Sequence, residues 1–197
     1  MRIIAGRHKG RNLTAPKGAA TRPTSARARE GLFNMLAHGG YGPGGGEAIN
    51  GAVVLDAFAG SGAFAFEALS RGAAHATLLD VSEPALGAAR ANAEHFGECQ
   101  TTAILRMDGT HPRPSVRTHG LVFLDPPYGS GLGATALTAL AAKGWIEPNA
   151  VVIAEVAGKE PFDPPRGLKL LTERNFGAAR FVLMRYLGIG EDGPKTP

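Results

Sequence analysis

Asp125-Pro126-Pro127-Tyr128 joins a carboxylate, two prolines and an aromatic ring directly after an apolar run, Leu121 to Leu124. Proline has no N–H to donate to a sheet, so the sequence predicts a buried strand that ends at about Asp125. A residue before proline is held extended, which keeps Asp125 and Pro126 out of helix. The tetrapeptide therefore forms a stiff corner with two fixed acceptors, the Asp125 carboxylate and the Pro126 carbonyl. Taken alone, it is equally well interpreted as a loop whose prolines only end the strand.

This corner suits methylation of an exocyclic base amine, whose nitrogen is a poor nucleophile because its lone pair is delocalised into the ring. Acceptors for both N–H bonds favour a pyramidal nitrogen, whose lone pair then points at the methyl donor. Asp125 is also a candidate to take the released proton. Tyr128 offers a face on which the base stacks, and a paired base would first be swung out. The candidate catalytic residues are Asp125, Pro126, Pro127 and Tyr128.

A second chemical pattern, VVLDAFAGSGAFA over residues 53–65, runs from an apolar strand through Gly60-Ser61-Gly62 into a helix. The glycines permit a sharp turn and a close ligand, and the helix N-terminus adds free N–H groups. Two acids follow the next strands. Asp80 is placed to accept hydrogen bonds from ribose hydroxyls, and Asp108 from an exocyclic adenine amine.

Two cofactors fit this half of the chain. Read as G-x-G-x-x-A, with Gly60, Gly62 and Ala65, the loop is typical of nicotinamide dinucleotide sites. Read as D-x-F-x-G-x-G from Asp56, it is typical of S-adenosylmethionine (SAM) sites, although Phe58 could equally be a core residue. The fourth strand favours SAM, because a dehydrogenase has no use for Asp-Pro-Pro-Tyr there.

From residue 52 onward, short apolar strands alternate with helices, which predicts an α/β fold with a mostly parallel sheet covered on both faces. Strands are predicted at 53–58, 76–81, 102–107, 121–124 and 151–156, and helices at 62–71, 83–95 and 133–143. A short connection joins strands 168–172 and 180–187, so these should pair antiparallel. Glu67 and Arg71 are expected to pair on a helix surface, while Glu155 and Trp145 are expected to be structural.

The composition indicates a soluble globular protein of one ordinary domain with a small appendage, since 44% of the 197 residues are hydrophobic and 19% are charged. We expect a cytoplasmic location and no membrane association, because the chain has no long apolar stretch and no secretory signal. One cysteine excludes an internal disulfide, and the scattered histidines predict no metal site. No motif requires more than a monomer.

Positive charge is concentrated at the start of the chain. Residues 1–29 hold eight basic side chains and no acid, whereas the other 168 residues hold 13 basic and 17 acidic side chains, a net charge of −4. The sequence predicts a hairpin over 1–14 and a helix over 25–37 capped by Ser25. A solvated charge run is the common explanation, but phosphate binding is at least as good a one. The candidate RNA contacts are Arg7, Lys9, Arg11 and Arg27.

The chain is thus divided into an N-terminal extension, a linker, a main domain and a tail. The extension comprises residues 1–38, and a glycine-rich linker comprises residues 39–51. Within it, residues 39–46 hold six glycines and are expected to be a flexible connection outside the core. The main domain comprises residues 52–187, and residues 188–197 are expected to be a flexible tail.

The sequence resembles the bacterial RsmD family of 16S rRNA (guanine(966)-N(2))-methyltransferases. The resemblance covers about residues 1–187 and rests on MRIIAGRHKGRNL, RPTSARAREGLFNML, LDAFAGSGAFAFEALSRGA, LVFLDPPY and LTERNFGAARFVLMRYL. The glycine loop and the proline corner occur in many methyltransferases, whereas the opening segments are much more specific. Asp80 stands where the family commonly has Glu, and Ser82 replaces a usual acid.

The resemblance implies a class I SAM-dependent methyltransferase fold, Rossmann-like, with a seven-stranded sheet, an antiparallel C-terminal strand and a small basic extension. It implies catalysis at the corner and a substrate in 16S rRNA, within a small-subunit particle or assembly intermediate. The extension would contribute to the cofactor site. The SAM-binding candidates are Arg22, Pro23, Thr24, Asp56, Phe58, Ala59, Gly60, Ser61, Gly62, Asp80 and Asp108.

Three rival functions share parts of the pattern. A DNA adenine-N6 or cytosine-N4 methyltransferase would use the same corner, but nothing outside the first 29 residues resembles a separate DNA-reading domain. A dinucleotide-dependent oxidoreductase is disfavoured by the corner, and a non-catalytic RNA-binding module by the intact cofactor pattern. We therefore expect methyl transfer from SAM to N2 of a guanine in 16S rRNA.

Overall fold

One seven-stranded sheet forms the centre of the computed structural model, which describes residues 1–16 and 25–188. The strands are β1 (Val53–Asp56), β2 (His75–Asp80), β3 (Thr102–Arg106), β4 (His119–Leu124), β5 (Ile146–Ala157), β6 (Leu168–Phe176) and β7 (Ala179–Tyr186). Their spatial order is β3-β2-β1-β4-β5-β7-β6. The first five are parallel, and β7 pairs antiparallel with both β5 and β6. The predicted α/β fold and the seven strands implied by the resemblance are confirmed.

Helices cover both faces of this sheet. They are α1 (Ala26–His38), α2 (Ala63–Ser70), α3 (Glu83–Phe96) and α4 (Leu132–Ala142). Alternate strand residues face opposite layers, as the period of a strand requires. Val54 packs in the cluster that contains residues of α1, α2 and α3, whereas Leu55 packs in the cluster that contains residues of α4.

Most element boundaries lie within one or two residues of the predicted ones. The last parallel strand is longer than predicted, because β5 begins at Ile146. The first strand is shorter, because β1 ends at Asp56 rather than at Phe58. Beyond Asp56 the N–H of Ala57 donates to the Phe123 carbonyl (3.0 Å) and the N–H of Ala59 to the Leu79 carbonyl (3.0 Å), so the following loop stays attached to both neighbouring strands.

The N-terminal extension begins with the predicted hairpin. Arg2 and Asn12 form an antiparallel bridge, and the N–H of Ile3 donates to the Arg11 carbonyl (3.0 Å). Ile3 and Leu13 are buried in the core that also contains α1, α2 and α3. The extension is therefore packed onto the main domain.

Glu67 of α2 anchors this hairpin. Its side chain is fully buried, and its carboxylate accepts from the N–H groups of Ile4 (2.8 Å) and Ala5 (3.1 Å) as well as from Nε of Arg71 (2.8 Å). The prediction of a surface pair between Glu67 and Arg71 is wrong, because the hairpin covers this face of α2. Hydrogen bonds to backbone N–H groups offset the cost of burying the charge.

Arg29 of α1 holds the first residues from the other side. It is fully buried, and its Nη2 donates to the Arg2 carbonyl (2.8 Å), while Nη1 contacts the Met1 sulfur. Burial lowers the pKa of its guanidinium, and the negative charges of Glu67 and Glu155 oppose that shift. Although Arg29 belongs to the basic run at the start of the chain, its side chain lies in the core, away from any phosphate on the surface.

The glycine-rich linker contains defined turns and hydrogen bonds. Its 3₁₀ turn spans Pro43–Gly45, and the N–H of Gly42 donates to the Gly46 carbonyl (2.9 Å). Arg185 of β7 donates to the Tyr41 carbonyl (2.7 Å), and Ile49 is fully buried in the core. Ile49 follows the glycine-rich stretch 39–46, and the burial of its apolar side chain contributes to the core. Of the predicted tail, residues 189–197 lie outside the described residues.

Replacing Glu67 with alanine should destabilise the fold. We expect the free energy of unfolding to fall by about 3 kcal/mol, because the change removes the acceptor of two backbone N–H groups and the partner of Arg71. Urea unfolding followed by circular dichroism measures the loss. Glu94→Ala, at an exposed position of α3, is the matched control and should change stability by less than about 0.5 kcal/mol. Equal losses in the two variants would contradict the anchoring role of Glu67.

Candidate active site

The acids singled out in the sequence meet at one edge of the sheet. β1, β2 and β4 are parallel neighbours, so Asp56, Asp80 and Asp125 all lie where these strands end. Crevices at the carboxyl ends of parallel strands are the usual ligand sites of open α/β sheets. The strand order brings together residues that are separated by up to 69 positions in the chain.

The loop after β1 takes a shape that needs its glycines. Gly60 and Gly62 have left-handed backbone angles, with φ of +55° and +84°. A Cβ on Gly62 would lie 2.6 Å from the Phe66 ring and 2.7 Å from Leu78, so a larger residue does not fit there. A Cβ on Gly60 would meet no described atom within 4 Å. The backbone at Gly60 therefore borders open space in which a ligand can approach it.

Asp80 fastens this loop to the neighbouring strand. Its Oδ2 accepts from the N–H of Gly60 (2.8 Å), and its Oδ1 accepts from the N–H of Ser82 (2.8 Å). Ser82, which stands where the family usually has an acid, is the N-cap of α3 and accepts from the N–H of Ala85 (3.4 Å). Asp80 is only partly buried, and a carboxylate has further acceptor positions for a ligand hydroxyl.

Asp56 lies beneath the loop. It is 1% exposed, its Oδ2 accepts from the N–H of Ala65 (3.2 Å), and its Oδ1 has no hydrogen-bond partner among the described residues. Burial raises the pKa of this carboxyl to about 7; the charge of Asp80 adds to the rise, and the Ala65 N–H opposes it. In this geometry Asp56 supports the start of α2.

The remaining cofactor candidates surround the loop. Asp108 is exposed after β3, and its Oδ1 accepts from the N–H (2.8 Å) and the hydroxyl (2.7 Å) of Thr110, which lower the pKa of the carboxyl. Phe58 is half-buried against the core cluster of α4, so it is partly a core residue. Ala59 and Ser61 are buried. Arg22, Pro23 and Thr24 lie outside the described residues.

The proline corner follows β4 as predicted. Asp125 is half-buried, Pro126 is buried, and Tyr128 is 46% exposed. The Tyr128 hydroxyl donates to Oε1 of Glu155 (2.8 Å), a side chain at the end of β5 that is only 2% exposed. Sequence reasoning gave Glu155 a structural role and missed this bond, although an acid inside an otherwise apolar strand was a signal of it.

A cavity of about 230 Å³ opens beside the corner. Its walls come from the corner, the start of α4, the end of β5 and the following loop: Pro126, Pro127, Tyr128, Ser130, Gly131, Gly133, Ala134, Ala154, Glu155, Val156, Glu160, Pro161, Phe162 and Asp163. The glycine loop and Asp80 lie on the β1 and β2 side of β4, whereas the cavity lies on its β5 side. Asp125 therefore stands between the two.

The candidate RNA contacts of the extension differ in their surroundings. Nε of Arg7 donates to the buried carboxylate of Glu98 (2.9 Å), and the Arg11 guanidinium lies over the Phe96 ring at 5.0 Å. Lys9 and Arg27 are exposed. Arg11 thus holds the extension on the last turn of α3 and Arg7 holds it on the segment that follows, whereas Lys9 and Arg27 present their charges to solvent.

The described residues contain neither a metal-binding cluster nor a membrane-spanning helix. No group of three or more His, Cys, Asp or Glu side chains among them is arranged to hold a metal ion. Within the same residues, no helix has the length and apolar character needed to cross a membrane.

Known proteins resemble this chain over most of its length. The family model described as Conserved hypothetical protein 95 matches residues 1–185. Ribosomal RNA small subunit methyltransferase D of Haemophilus influenzae is 31% identical over 188 residues, which cover 93% of this chain and 92% of that protein. The protein of the same name from Escherichia coli K12 is 35% identical over 162 residues, with 79% and 74% covered.

Solved structures show the same architecture. The structure of "Putative methyltransferase yhhF" from Escherichia coli superposes with a TM-score of 0.79 at 31% identity, covering 96% of this chain and 99% of that one. An RNA methyltransferase from Salinibacter ruber, solved in complex with S-adenosyl-L-homocysteine, gives a TM-score of 0.66 at 14% identity, with 89% and 98% covered. The second likeness is one of fold alone.

Replacing Asp56 with asparagine should remove a pH dependence of stability. The pKa of the carboxyl is about 7 in the folded protein and near 3.8 in the unfolded chain, so between these values the folded state holds the extra proton. Stability therefore falls as pH rises through this window, by up to roughly 4 kcal/mol, and the loss is complete above it.

We expect the free energy of unfolding of the wild type, relative to Asp56→Asn, to decrease between pH 4 and pH 7 and to stay level above that. Denaturant unfolding at each pH measures it. The exposed Asp163→Asn is the matched control and should give a flat difference. A flat difference for Asp56→Asn would contradict the raised pKa of the buried carboxyl.

Proposed function

The chain belongs to the Conserved hypothetical protein 95 family, which includes the ribosomal RNA small subunit methyltransferase D proteins, and on that premise we propose that it methylates the N2 amine of a guanine in 16S rRNA. The observation that carries this proposal is the position of the Asp125-Pro126 corner. It stands between an open glycine loop and a cavity that is lined by an aromatic ring and a carboxylate.

The cofactor is SAM, which supplies a methyl group bound to a positively charged sulfur. The residues present fit it, because the backbone at Gly60 borders open space and Asp80 stands beside the loop with acceptor capacity for ribose. Asp108 would receive the adenine amine, while Asp56 would act indirectly by supporting the loop. Contacts from Arg22, Pro23 and Thr24 remain a prediction from the family resemblance.

In this proposal, the chain contributes orientation and electrostatics. The Asp125 carboxylate and the Pro126 carbonyl accept hydrogen bonds from the two N–H groups of the target amine, so that its lone pair faces the loop side of β4. Pro126 and Pro127 hold these acceptors in place before the substrate arrives. Tyr128 forms a wall against which the base stacks, and a paired guanine would be flipped out to reach it.

The extension would bind the RNA around the target. Lys9 and Arg27 are exposed and basic, so they are the first candidates to contact phosphates, with the half-exposed Arg7 beside them. The names of the relatives favour RNA over DNA as the substrate. The guanine(966) target, the small-subunit particle, a monomeric state and a cytoplasmic location are the finer parts of this proposal.

Asp125→Ala should keep cofactor binding and lose methyl transfer. We expect kcat to fall by about 100-fold or more, because one of two preorganised acceptors is removed. Titration calorimetry with SAM tests binding, and transfer of a tritiated methyl group to rRNA tests activity. The matched control is Asp163→Ala, an exposed acid at the far rim of the same cavity, which should remain active. Full activity of Asp125→Ala would contradict the assigned chemistry.

Removing two exposed charges of the extension, by Lys9→Gln with Arg27→Gln, should weaken RNA binding and reduce its salt dependence. We expect the slope of log K against log salt concentration to become shallower by roughly 1.5, because each phosphate contact that is lost reduces the number of counterions released when the RNA binds. Fluorescence anisotropy at several salt concentrations measures the slope. Lys143→Gln, an exposed lysine where α4 ends on the opposite side of the sheet, is the control. An unchanged slope in the double variant would exclude these residues as phosphate contacts.

A further inference from the structure

The lining of the cavity beside the corner includes one deeply buried acid. Of the three acids in its lining, Asp163 is exposed, and Glu160 accepts the N–H of Ala157 (3.2 Å) at the start of its own loop. Glu155 is 2% exposed and takes the hydrogen bond from Tyr128, the ring that forms another wall of the cavity. Glu155 is thus fixed relative to the corner by one of the proposed catalytic residues.

The size of the cavity favours one base over a whole nucleotide. Pockets for drug-sized ligands commonly measure about 300 to 1,000 Å³, whereas this one measures about 230 Å³. Its remaining walls are mainly proline, glycine, alanine and aromatic residues, including Phe162 opposite the corner. Such walls receive the flat apolar faces of a base, while polar groups at its edge determine which base is accepted.

The nucleobases differ at the atom beside the amine that would be methylated. In guanine two ring nitrogens flank the N2 amine: N1–H, a donor, on one side and N3, an acceptor, on the other. Only the N1 side offers a donor beside the amine. In adenine the ring nitrogen next to the N6 amine is an acceptor, and so is the one next to the N4 amine of cytosine. A carboxylate accepts hydrogen bonds and, when ionised, donates none. It therefore attracts the guanine edge and repels the other two.

We propose that Glu155 selects the target base by accepting the N1–H of guanine while the corner holds the adjacent N2 amine. Glu155 would then be a specificity-determining residue of the proposed methyl transfer, and this inference rests on that function. The bond from Tyr128 is compatible with the role, since a carboxylate accepts several hydrogen bonds. The same corner without this acid would suit an adenine or a cytosine equally well.

The charge of Glu155 has a counterpart inside the protein. Arg29 is buried, and the negative charge of Glu155 acts on its guanidinium. A buried carboxylate near a buried cation keeps its acceptor character in a place where an isolated charge would be costly. Arg29 also donates a hydrogen bond to the Arg2 carbonyl (2.8 Å). One buried guanidinium therefore interacts both with Glu155 and with the start of the extension.

The test replaces the target guanine with 2-aminopurine, which keeps the N2 amine but has an acceptor at N1. The target is first mapped with the wild-type enzyme, and the analogue is then ligated into 16S rRNA at that position and assembled into small-subunit particles. Wild type and Glu155→Gln are compared for kcat/KM on both substrates with SAM. 2-Aminopurine also lacks O6, but this loss is the same for both enzymes. The difference between their guanine-to-2-aminopurine ratios of kcat/KM therefore reports the effect of the Glu155 carboxylate.

We expect the wild type to prefer guanine by about 10- to 100-fold, because the analogue sets its N1 lone pair against the carboxylate. Glu155→Gln should reduce this ratio at least about tenfold, since the glutamine amide can donate to N1 of 2-aminopurine. Glu160→Gln, which changes a partly buried acid in the lining of the same cavity, should keep the wild-type ratio. Equal ratios for the wild type and Glu155→Gln would overturn the proposal.

Two further readouts keep the outcomes distinct. Binding of S-adenosyl-L-homocysteine, measured by calorimetry, verifies that Glu155→Gln is folded. If the variant is not folded, the guanine-to-2-aminopurine ratio of the wild type decides alone. A wild-type ratio near one overturns the proposal. A wild-type enzyme that labels no guanine N2 in rRNA refutes the proposed function itself. A wild-type enzyme that labels guanine N2 but methylates guanine and 2-aminopurine with equal kcat/KM refutes only the role of Glu155.

Discussion

The place of β4 in the sheet is the constraint on which the site depends. β4 lies between β1 and β5 and is followed by Asp125 and two prolines. The prolines prevent the backbone from continuing as a strand or entering a helix at this point. The glycine loop after β1 opens on one side of it, and the cavity against β5 opens on the other. A methyl donor and an acceptor amine that occupy these two sides would meet at Asp125 and Pro126.

A second feature of the molecule is the number of charges inside it. Arg29, Glu67, Asp56 and Glu155 are all at most 2% exposed, and each has a defined role in the geometry. Arg29 and Glu67 hold the first residues of the chain through backbone groups, Asp56 supports the start of α2, and Glu155 holds Tyr128. Because an unpaired buried charge is costly, the extension, the cofactor loop and the corner are mutually dependent parts of one core.

Local patterns predicted the main domain well, because alternating apolar strands and helices are encoded in nearby residues. The glycine loop, the acid at the end of β2 and the proline corner were found for the same reason. The Glu67–Arg71 pair was misassigned to the surface, and the burial of Arg29 and Ile49 was not predicted, since it depends on segments far along the chain. The i, i+4 spacing of Glu67 and Arg71 is that of a surface pair, and only the hairpin packed over α2 changes its meaning. The bond from Tyr128 to Glu155 joins residues 27 apart, a distance at which spacing predicts no contact.

Methylation of a guanine at N2 in 16S rRNA is the central claim, and the labelled nucleoside itself tests it most directly. Wild-type protein would be incubated with tritiated SAM and small-subunit particles from cells that lack the enzyme, with naked rRNA and DNA in parallel. The RNA would then be digested, and the label assigned to a nucleoside and a position by chromatography and mass spectrometry. Label in N2-methylguanosine at one position of 16S rRNA is the predicted result. Label on an adenine or a cytosine, or in DNA alone, would contradict the account.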